Sequence, residues 1–355
     1  MLSDTVKVLI PASAAFVIGI GITPILTHYL YRYKAWKKKP GKISLDGSVA
    51  TEFNKLHNGN EVRAPRMGGI VIWASAIITI AGMSIVAHLF PSAASLKLDF
   101  LSRNQTWLPL AALLVGAFAG LVDDLLVIRM NGGGKGLPLS ARLLVVVALS
   151  TFIGFWFWDK LNITTINLPF HHSFEFGWMI IPFFVAVSLA VYASGVIDGI
   201  DGLSGGVFGS IFASYTIIAF AQNQIDLAAF CSAIVGGILA FLWFNIPPAR
   251  FYMTDTGTMA LTLCLGTIAF MTDGPGEGIG VFVLPIIGML LVVTVASNIL
   301  QVLSKKLRGK KLFRVAPLHH HFEAIGWPGP KVAMRYWVLS IVFAFLGVIF
   351  ALTAR

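Results

Sequence analysis

Five aspartates stand where apolar runs end: Asp123 and Asp124 in "GLVDDLLVIR", Asp198 and Asp201 in "GVIDGIDGLSGG", and Asp255 in "FNIPPARFYMTDTGT". Carboxylates beside hydrocarbon are costly and mark functional sites more often than chance. Gathered on one face they repel one another unless cations share the site. An ordinary Asp-Gly turn accounts for Asp201 equally well. The Asp123–Asp124 pair is harder to explain that way, because two negative charges at a helix C-terminus oppose the helix dipole. A divalent cation or a cationic substrate group would compensate. Oxygen ligands in small number suit Mg²⁺, with Mn²⁺ as a substitute, the shell being completed by water and phosphate.

A second group is the run His319, His320 and His321 in "APLHHHFEAIGWPGP", from a chain with eight histidines. It follows the basic stretch "SKKLRGKKLFRVAP". One reading is a charged anchor followed by a polar loop. A structural zinc site is disfavoured, since no cysteine stands nearby and three sequence neighbours do not converge on one ion without unusual backbone. A third reading joins the loop to the aspartates: a cation-binding carboxylate set and a basic, imidazole-bearing loop together meet the needs of diphosphate chemistry. The glycine-rich "RMNGGGKGLPLSAR", with Lys135 and Arg142, offers backbone N–H groups and cations to a phosphate, or is simply a connector. It does not fit a P-loop.

These residues must be held by membrane elements. The 355-residue chain is 57% hydrophobic and 12% charged, with mean hydropathy +0.82. Soluble proteins carry roughly 25% charged residues, so the composition predicts an all-α integral membrane protein. Cys231 and Cys264 lie inside apolar runs and indicate neither disulfide nor zinc. The first apolar run has no cleavage pattern and reads as a span. Spans are expected near 7–30, 67–89, 107–126, 142–159, 177–197, 203–221, 227–246, 256–271, 279–303 and 336–354, about ten transmembrane helices in a single polytopic domain over residues 1–355. Of the 26 Lys and Arg, only Lys7, Lys97, Arg103, Lys160 and Arg355 fall on one side of that arrangement. The side holding the rest is therefore expected to be cytoplasmic, both termini outside, with the active site on the cytoplasmic face. The net charge of +10 reads as topology and attraction to anionic lipid in the bilayer, not as nucleic-acid binding. The residues alone thus reach a membrane enzyme or transporter that handles a phosphorylated compound at that face.

Seven segments, in order, carry a resemblance that goes further: "APRMGGI", "VDDLL", "KGLPLSAR", "DGIDGL", "FNIPPARFYMTDTGT", "ILQV" and "LRGKKLFRVAPLHHHFEAIGWPGPKVAMRYW". From about Gly41 to the end the chain resembles the polyprenyl-phosphate N-acetylhexosamine-1-phosphate transferases. Its histidine block is similar to the phospho-N-acetylmuramoyl-pentapeptide transferase branch. The resemblance implies ten transmembrane helices, outward termini, Mg²⁺ dependence, a homodimer and a multi-pass place in the bacterial inner (plasma) membrane. The implied substrates are UDP-N-acetylmuramoyl-pentapeptide and undecaprenyl phosphate, and the products lipid I and UMP. By the same resemblance Asp255 is the Mg²⁺ ligand, Asp123 and Asp124 the catalytic pair, and His319 a catalytic-site residue near the phosphates. Lys135, Asp198, Asn245, Tyr252, Gln301, His320 and His321 are placed with substrate, Tyr252 where an aromatic stacks on uracil; His321 has loop-holding as its other reading. The chain departs from the family pattern at Gly195, Val127 and Thr254, at Thr258, and in "APRMGG". An N-acetylglucosamine-1-phosphate transferase is the alternative enzyme, and a transporter of a phosphorylated anion the alternative of another class. Direct attack and a two-step route through an aspartyl-phosphate both stay open.

Overall fold

The computed structural model describes residues 3–36, 64–102, 104–129 and 136–354. The chain runs α1 (Asp4–Arg32), α2 (Ile70–Leu89), short α3 (Ala93–Leu98), α4 (Trp107–Arg129), α5 (Leu139–Asp159), a hairpin, α6 (Ile180–Ala193), α7 (Leu203–Ala221), α8 (Ile225–Asn245), α9 (Thr254–Met271), α10 (Gly280–Ile287), α11 (Met289–Arg308), short α12 (Leu318–Ala324) and α13 (Gly329–Thr353). In the hairpin, β1 (Thr165–Leu168) pairs antiparallel with β2 (His172–Glu175), Ile166 opposite Phe174. Among the described residues nine helical segments are long and apolar enough to cross a bilayer, Gly177–Ile197 counting as one.

Two predicted spans differ in form. The expected 256–271 run is α9, too rich in threonine and too polar at its start to rank with the nine, yet every residue from Thr256 to Met271 is buried. It is enclosed by other helices and need not satisfy lipid, so its hydropathy understates its depth. The expected 279–303 run is broken into α10 and α11 at Gly288, with Pro285 in the last turn of α10. Proline supplies no N–H to the helical ladder, so a break there costs little extra. α11 then continues past the apolar run through Lys305, Lys306 and Arg308, and stops where Gly309 takes a left-handed φ of 66°.

Small residues set the packing around α9. A Cβ on Gly116 would come within 2.6 Å of the Met259 carbonyl oxygen, and one on Gly120 would overlap the Asp255 carbonyl. The Gly116-x-x-x-Gly120 face therefore lets the backbones of α4 and α9 touch. At the far end of the bundle an aromatic cluster of Phe157, Phe183, Phe184 and Phe270 fills the space between α5, α6 and α9.

Candidate active site

The glycine contact delivers the aspartate pair. Asp123 and Asp124 follow Gly120 by one turn, so both land against the first turn of α9, and both are fully buried. Asp124 is saturated. Its Oδ1 accepts from Arg66 Nε at 2.9 Å and Nη2 at 2.7 Å, and its Oδ2 from the Thr256 amide at 3.0 Å and the hydroxyls of Thr254 and Thr256. Asp123 is only half used. Its Oδ1 accepts from the Leu137 amide and faces Arg142 Nε at 3.1 Å, whereas its buried Oδ2 accepts no hydrogen bond.

Asp255, in the first turn of α9, completes the group. Arg142 Nη1 lies 3.4 Å and Arg66 Nη2 3.9 Å from its Oδ2. One carboxylate oxygen from each of Asp123, Asp124 and Asp255 lies within 4.8 Å of the others. Three ionised carboxylates against two guanidinia leave an excess negative charge. An orphaned buried oxygen beside a second, partly open carboxylate fits a hard divalent cation that takes one or two carboxylates and fills its shell with water and phosphate. Asp123 Oδ2 and Asp255 are the fitting donors, because the oxygens of Asp124 are already spent on protein.

Arg66 reaches the site through a backbone zipper. Tyr252 N donates to Pro65 O (2.9 Å), Gly68 N to Tyr252 O (2.8 Å), Gly69 N to Met253 O (3.2 Å) and Met67 N to Thr254 Oγ1 (3.0 Å). A Cβ on Gly68 would strike the Phe251 ring and one on Gly69 the backbone of Gly257, so "RMGG" needs both glycines for this close approach. The peptide group of Tyr252 is consumed here, and its half-buried side chain lies beside the zipper.

Asp198 closes the next side. Its Oδ1 accepts from Ser204 Oγ at 2.8 Å and its Oδ2 from the Thr254 amide at 2.7 Å, so Thr254 links it to Asp124. Desolvation raises the Asp198 carboxyl above the usual range, against the pull of those two hydrogen bonds. Asn245 is buried with both polar ends on backbone: Oδ1 accepts from Gly202 N at 2.9 Å and Nδ2 donates to Phe251 O at 2.8 Å. Asp201 Oδ2 accepts from Ala249 N at 3.0 Å, a second tie between the same two loops. Two departures noted in the sequence meet here, since a Cβ on Gly195 would sit 3.3 Å from Thr258 Cβ. The smaller residue at one position leaves space for the larger at the other.

The histidines sit on α12. His319 and His320 are buried and pack edge to face, and the Nε2 atoms of both point at Gly199, where a Cβ would be 2.8 Å and 2.6 Å away. His320 Nδ1 pairs with Glu323 Oε2 at 2.7 Å. His321 turns elsewhere: its Nδ1 accepts from Arg314 N at 3.3 Å, and its ring packs on Phe313. The three imidazoles do not surround one point. Gln301, at the end of the buried face of α11, holds the Leu312 and Phe313 amides on Oε1 and gives Nε2 to the Phe313 carbonyl.

The structure therefore brings Asp123, Asp124, Asp255 and Asp198 into one connected network, with His319 and His320 against the Asp198–Gly199 turn. Asn245, Gln301 and His321 are engaged with backbone. Lys135 lies outside the described residues. Sequence reading missed Arg66, counted only as topology charge, and the threonines 254 and 256. The available signal was electrostatic: carboxylates at membrane depth require cations, and Arg66 lies just before α2 and Arg142 in the first turn of α5.

Residues 106–273 match the family described as glycosyl transferase family 4. The chain is 31% identical over 339 residues to the phospho-N-acetylmuramoyl-pentapeptide-transferase of Geobacillus sp. (strain WCH70), covering 94% of each. It is 32% identical to the protein of the same name from Thermodesulfovibrio yellowstonii, covering 88% of this chain and 86% of that one. With that of Bacillus anthracis it shares 32% identity over 347 residues, 96% of each. Similarity of this extent shows that the chain belongs to the phospho-N-acetylmuramoyl-pentapeptide-transferase family.

Proposed function

We propose that the chain transfers phospho-N-acetylmuramoyl-pentapeptide from its uridine diphosphate carrier to undecaprenyl phosphate, giving lipid I and UMP. The observation that carries this reading is the carboxylate triad, with its orphaned Asp123 oxygen and two arginines, in a chain whose relatives bear that enzyme's name. The distribution of Lys and Arg supports a cytoplasmic active site in a bacterial inner (plasma) membrane with both termini outside.

An oxygen of the lipid phosphate attacks the β-phosphorus of the nucleotide sugar, and the bond from that phosphorus to the UMP oxygen breaks. The lipid phosphate is already largely ionised at neutral pH, so positioning matters more than a base. Mg²⁺, when held by Asp123 Oδ2 and Asp255, supplies charge neutralisation for the diphosphate and the departing UMP. Asp124 keeps Arg66 in place, and Arg66 and Arg142 offer N–H groups to phosphate oxygens. Asp198, His319 and His320 border the neighbouring space, which suits the nucleoside end, with Tyr252 presenting an aromatic face and Lys135 a further phosphate contact. A homodimer is part of the proposal by family membership alone.

The decisive experiment incubates purified protein with undecaprenyl phosphate, Mg²⁺ and UDP-N-acetylmuramoyl-pentapeptide, and follows UMP. Release of UMP with lipid I is expected. UMP formed only from UDP-N-acetylglucosamine would replace the donor assignment. Vesicle uptake of the nucleotide sugar with no UMP would replace the enzyme by a transporter.

A further inference from the structure

We propose that Arg142 is a displaceable counter-cation: it bridges Asp123 and Asp255, and a divalent cation bound by those two carboxylates would release it towards the donor's diphosphate. The inference rests on the diphosphate-donor reading above and adds an order of events to it.

The two arginines are held very differently. Arg66 has both Nε and Nη2 on a single Asp124 oxygen, at 2.9 and 2.7 Å, and its approach to Asp255 is only 3.9 Å. The other oxygen of Asp124 is taken by Thr254 and Thr256, so Arg66 has a complete site that a cation need not disturb. Arg142 spans the gap instead. Its Nε is shared between the Leu137 carbonyl and Asp123 Oδ1, each at 3.1 Å, and its Nη1 reaches Asp255 Oδ2 at a long 3.4 Å. These are the two carboxylates with oxygen capacity to spare. A divalent cation held by Asp123 and Asp255 would take over the charge that Arg142 balances, and would repel the guanidinium at the same time. The Nε bond to Leu137 keeps Arg142 tethered while Nη1 is freed. A tethered guanidinium with free N–H groups beside the metal is placed for the non-bridging oxygens of a diphosphate. Cation and donor would then bind cooperatively through one residue, because the first removes a contact that the second needs broken.

The test measures Mn²⁺ binding by electron paramagnetic resonance on the full-length protein, alone and with UDP as the diphosphate probe. In the unaltered protein UDP should tighten Mn²⁺ binding. In Arg142→Gln, Mn²⁺ alone should bind more tightly, by up to about fivefold for loss of a partly exposed competing cation, and the further gain from UDP should shrink. Arg142→Lys, which keeps the charge, should bind Mn²⁺ alone as the unaltered protein does, and reports on folding of the position. Unchanged or weaker Mn²⁺ binding in Arg142→Gln, with Arg142→Lys unaltered, would overturn the displacement. An undiminished UDP effect in Arg142→Gln would overturn the transfer of Arg142 to the diphosphate. Absence of Mn²⁺ binding in every form would overturn both. Failure of lipid I synthesis with these binding results intact would instead count against the function proposed above.

Discussion

Removing the Asn245 side chain tests whether the two loops of the candidate site are held by this residue or merely lie near it. Asn245 is 2% exposed, and its two polar ends clamp Gly202 N at 2.9 Å and Phe251 O at 2.8 Å. In Asn245→Ala both backbone groups lose their buried partner. Each orphaned group costs about 1–3 kcal/mol; water entering the small space left behind offsets part of that, so the net loss should be about 2–4 kcal/mol. The Gly202 side carries Asp198 and Asp201, and the Phe251 side carries Thr254 and Asp255, so loosening either one misaligns the triad. We therefore expect a lowered unfolding temperature for the detergent-solubilised protein, followed by tryptophan fluorescence, together with a fall in kcat for UMP release. A direct substrate contact makes a different prediction: a raised KM for the nucleotide sugar at unaltered thermal stability and kcat. That outcome would refute the clamp.

The remaining predictions concern the same network and its distal support. Asp124→Asn strands Arg66 and loses much of a set of charge-assisted hydrogen bonds, so it should lower thermal stability by about 3 kcal/mol as well as activity; Asp123→Asn should abolish activity and weaken Mn²⁺ binding while leaving the melting curve nearly in place. Gly136→Ala would drive a Cβ into the Asp123 carboxylate and should cut kcat strongly, whereas Gly82→Ala, with nothing within 4 Å, serves as the control and should keep full rate. Asp273, in the turn after α9, accepts from Asn167 N at 2.9 Å and Val281 N at 3.1 Å, and burial pushes its carboxyl up to about 7. Between about pH 4 and 7 the folded state holds a proton that the unfolded state has released, so the contribution of Asp273 to stability should be fullest below about pH 4 and be lost as pH rises through about 7. Thermal melts of Asp273→Asn across that window should show a flatter profile, and an identical slope would remove Asp273 as its source.

The spans were readable because lipid imposes a simple rule, that twenty apolar residues must satisfy their own backbone. α9 escaped that rule, for Thr262 and Thr267 return their hydroxyls to the helix's own carbonyls, at Thr258 and Leu263, and lie buried among other helices. The aspartates were readable because charge at membrane depth is exceptional. What they touch was not, since Arg66 arrives through a zipper of main-chain bonds between residues 65–69 and 252–253, and main-chain pairing leaves no pattern of residue types. His321 illustrates the opposite limit. Its type matches its neighbours, but one position on a helix is about a third of a turn, enough to aim it at Arg314 while His319 and His320 aim at Gly199.

Adjacent acidic residues invite a symmetrical account, and the geometry argues against one here. Asp123 and Asp124 share a helix turn and equal burial, yet what each can do depends on how much of its oxygen capacity the protein has already claimed. Asp124 meets five donors, including both threonines flanking Asp255, so a ligand could recruit it only by undoing the contacts that fix Asp255. Asp123 retains a buried oxygen without a donor, and leaving such a group unmet is costly unless something else in the working cycle meets it. The division follows from sequence position: Asp124 points at the α9 N-terminus, where amides and hydroxyls converge, and Asp123 points at the Gly136–Leu137 segment, which offers one amide and the edge of Arg142. A reciprocal exchange can expose that division. Thr256→Val withdraws one donor from Asp124 while keeping shape, and should lower stability with Mn²⁺ affinity nearly unaltered, because the affected oxygen is already met by protein donors. Should Thr256→Val instead change Mn²⁺ affinity as strongly as Asp123→Asn does, the two carboxylates would have to be treated as one ligand pair.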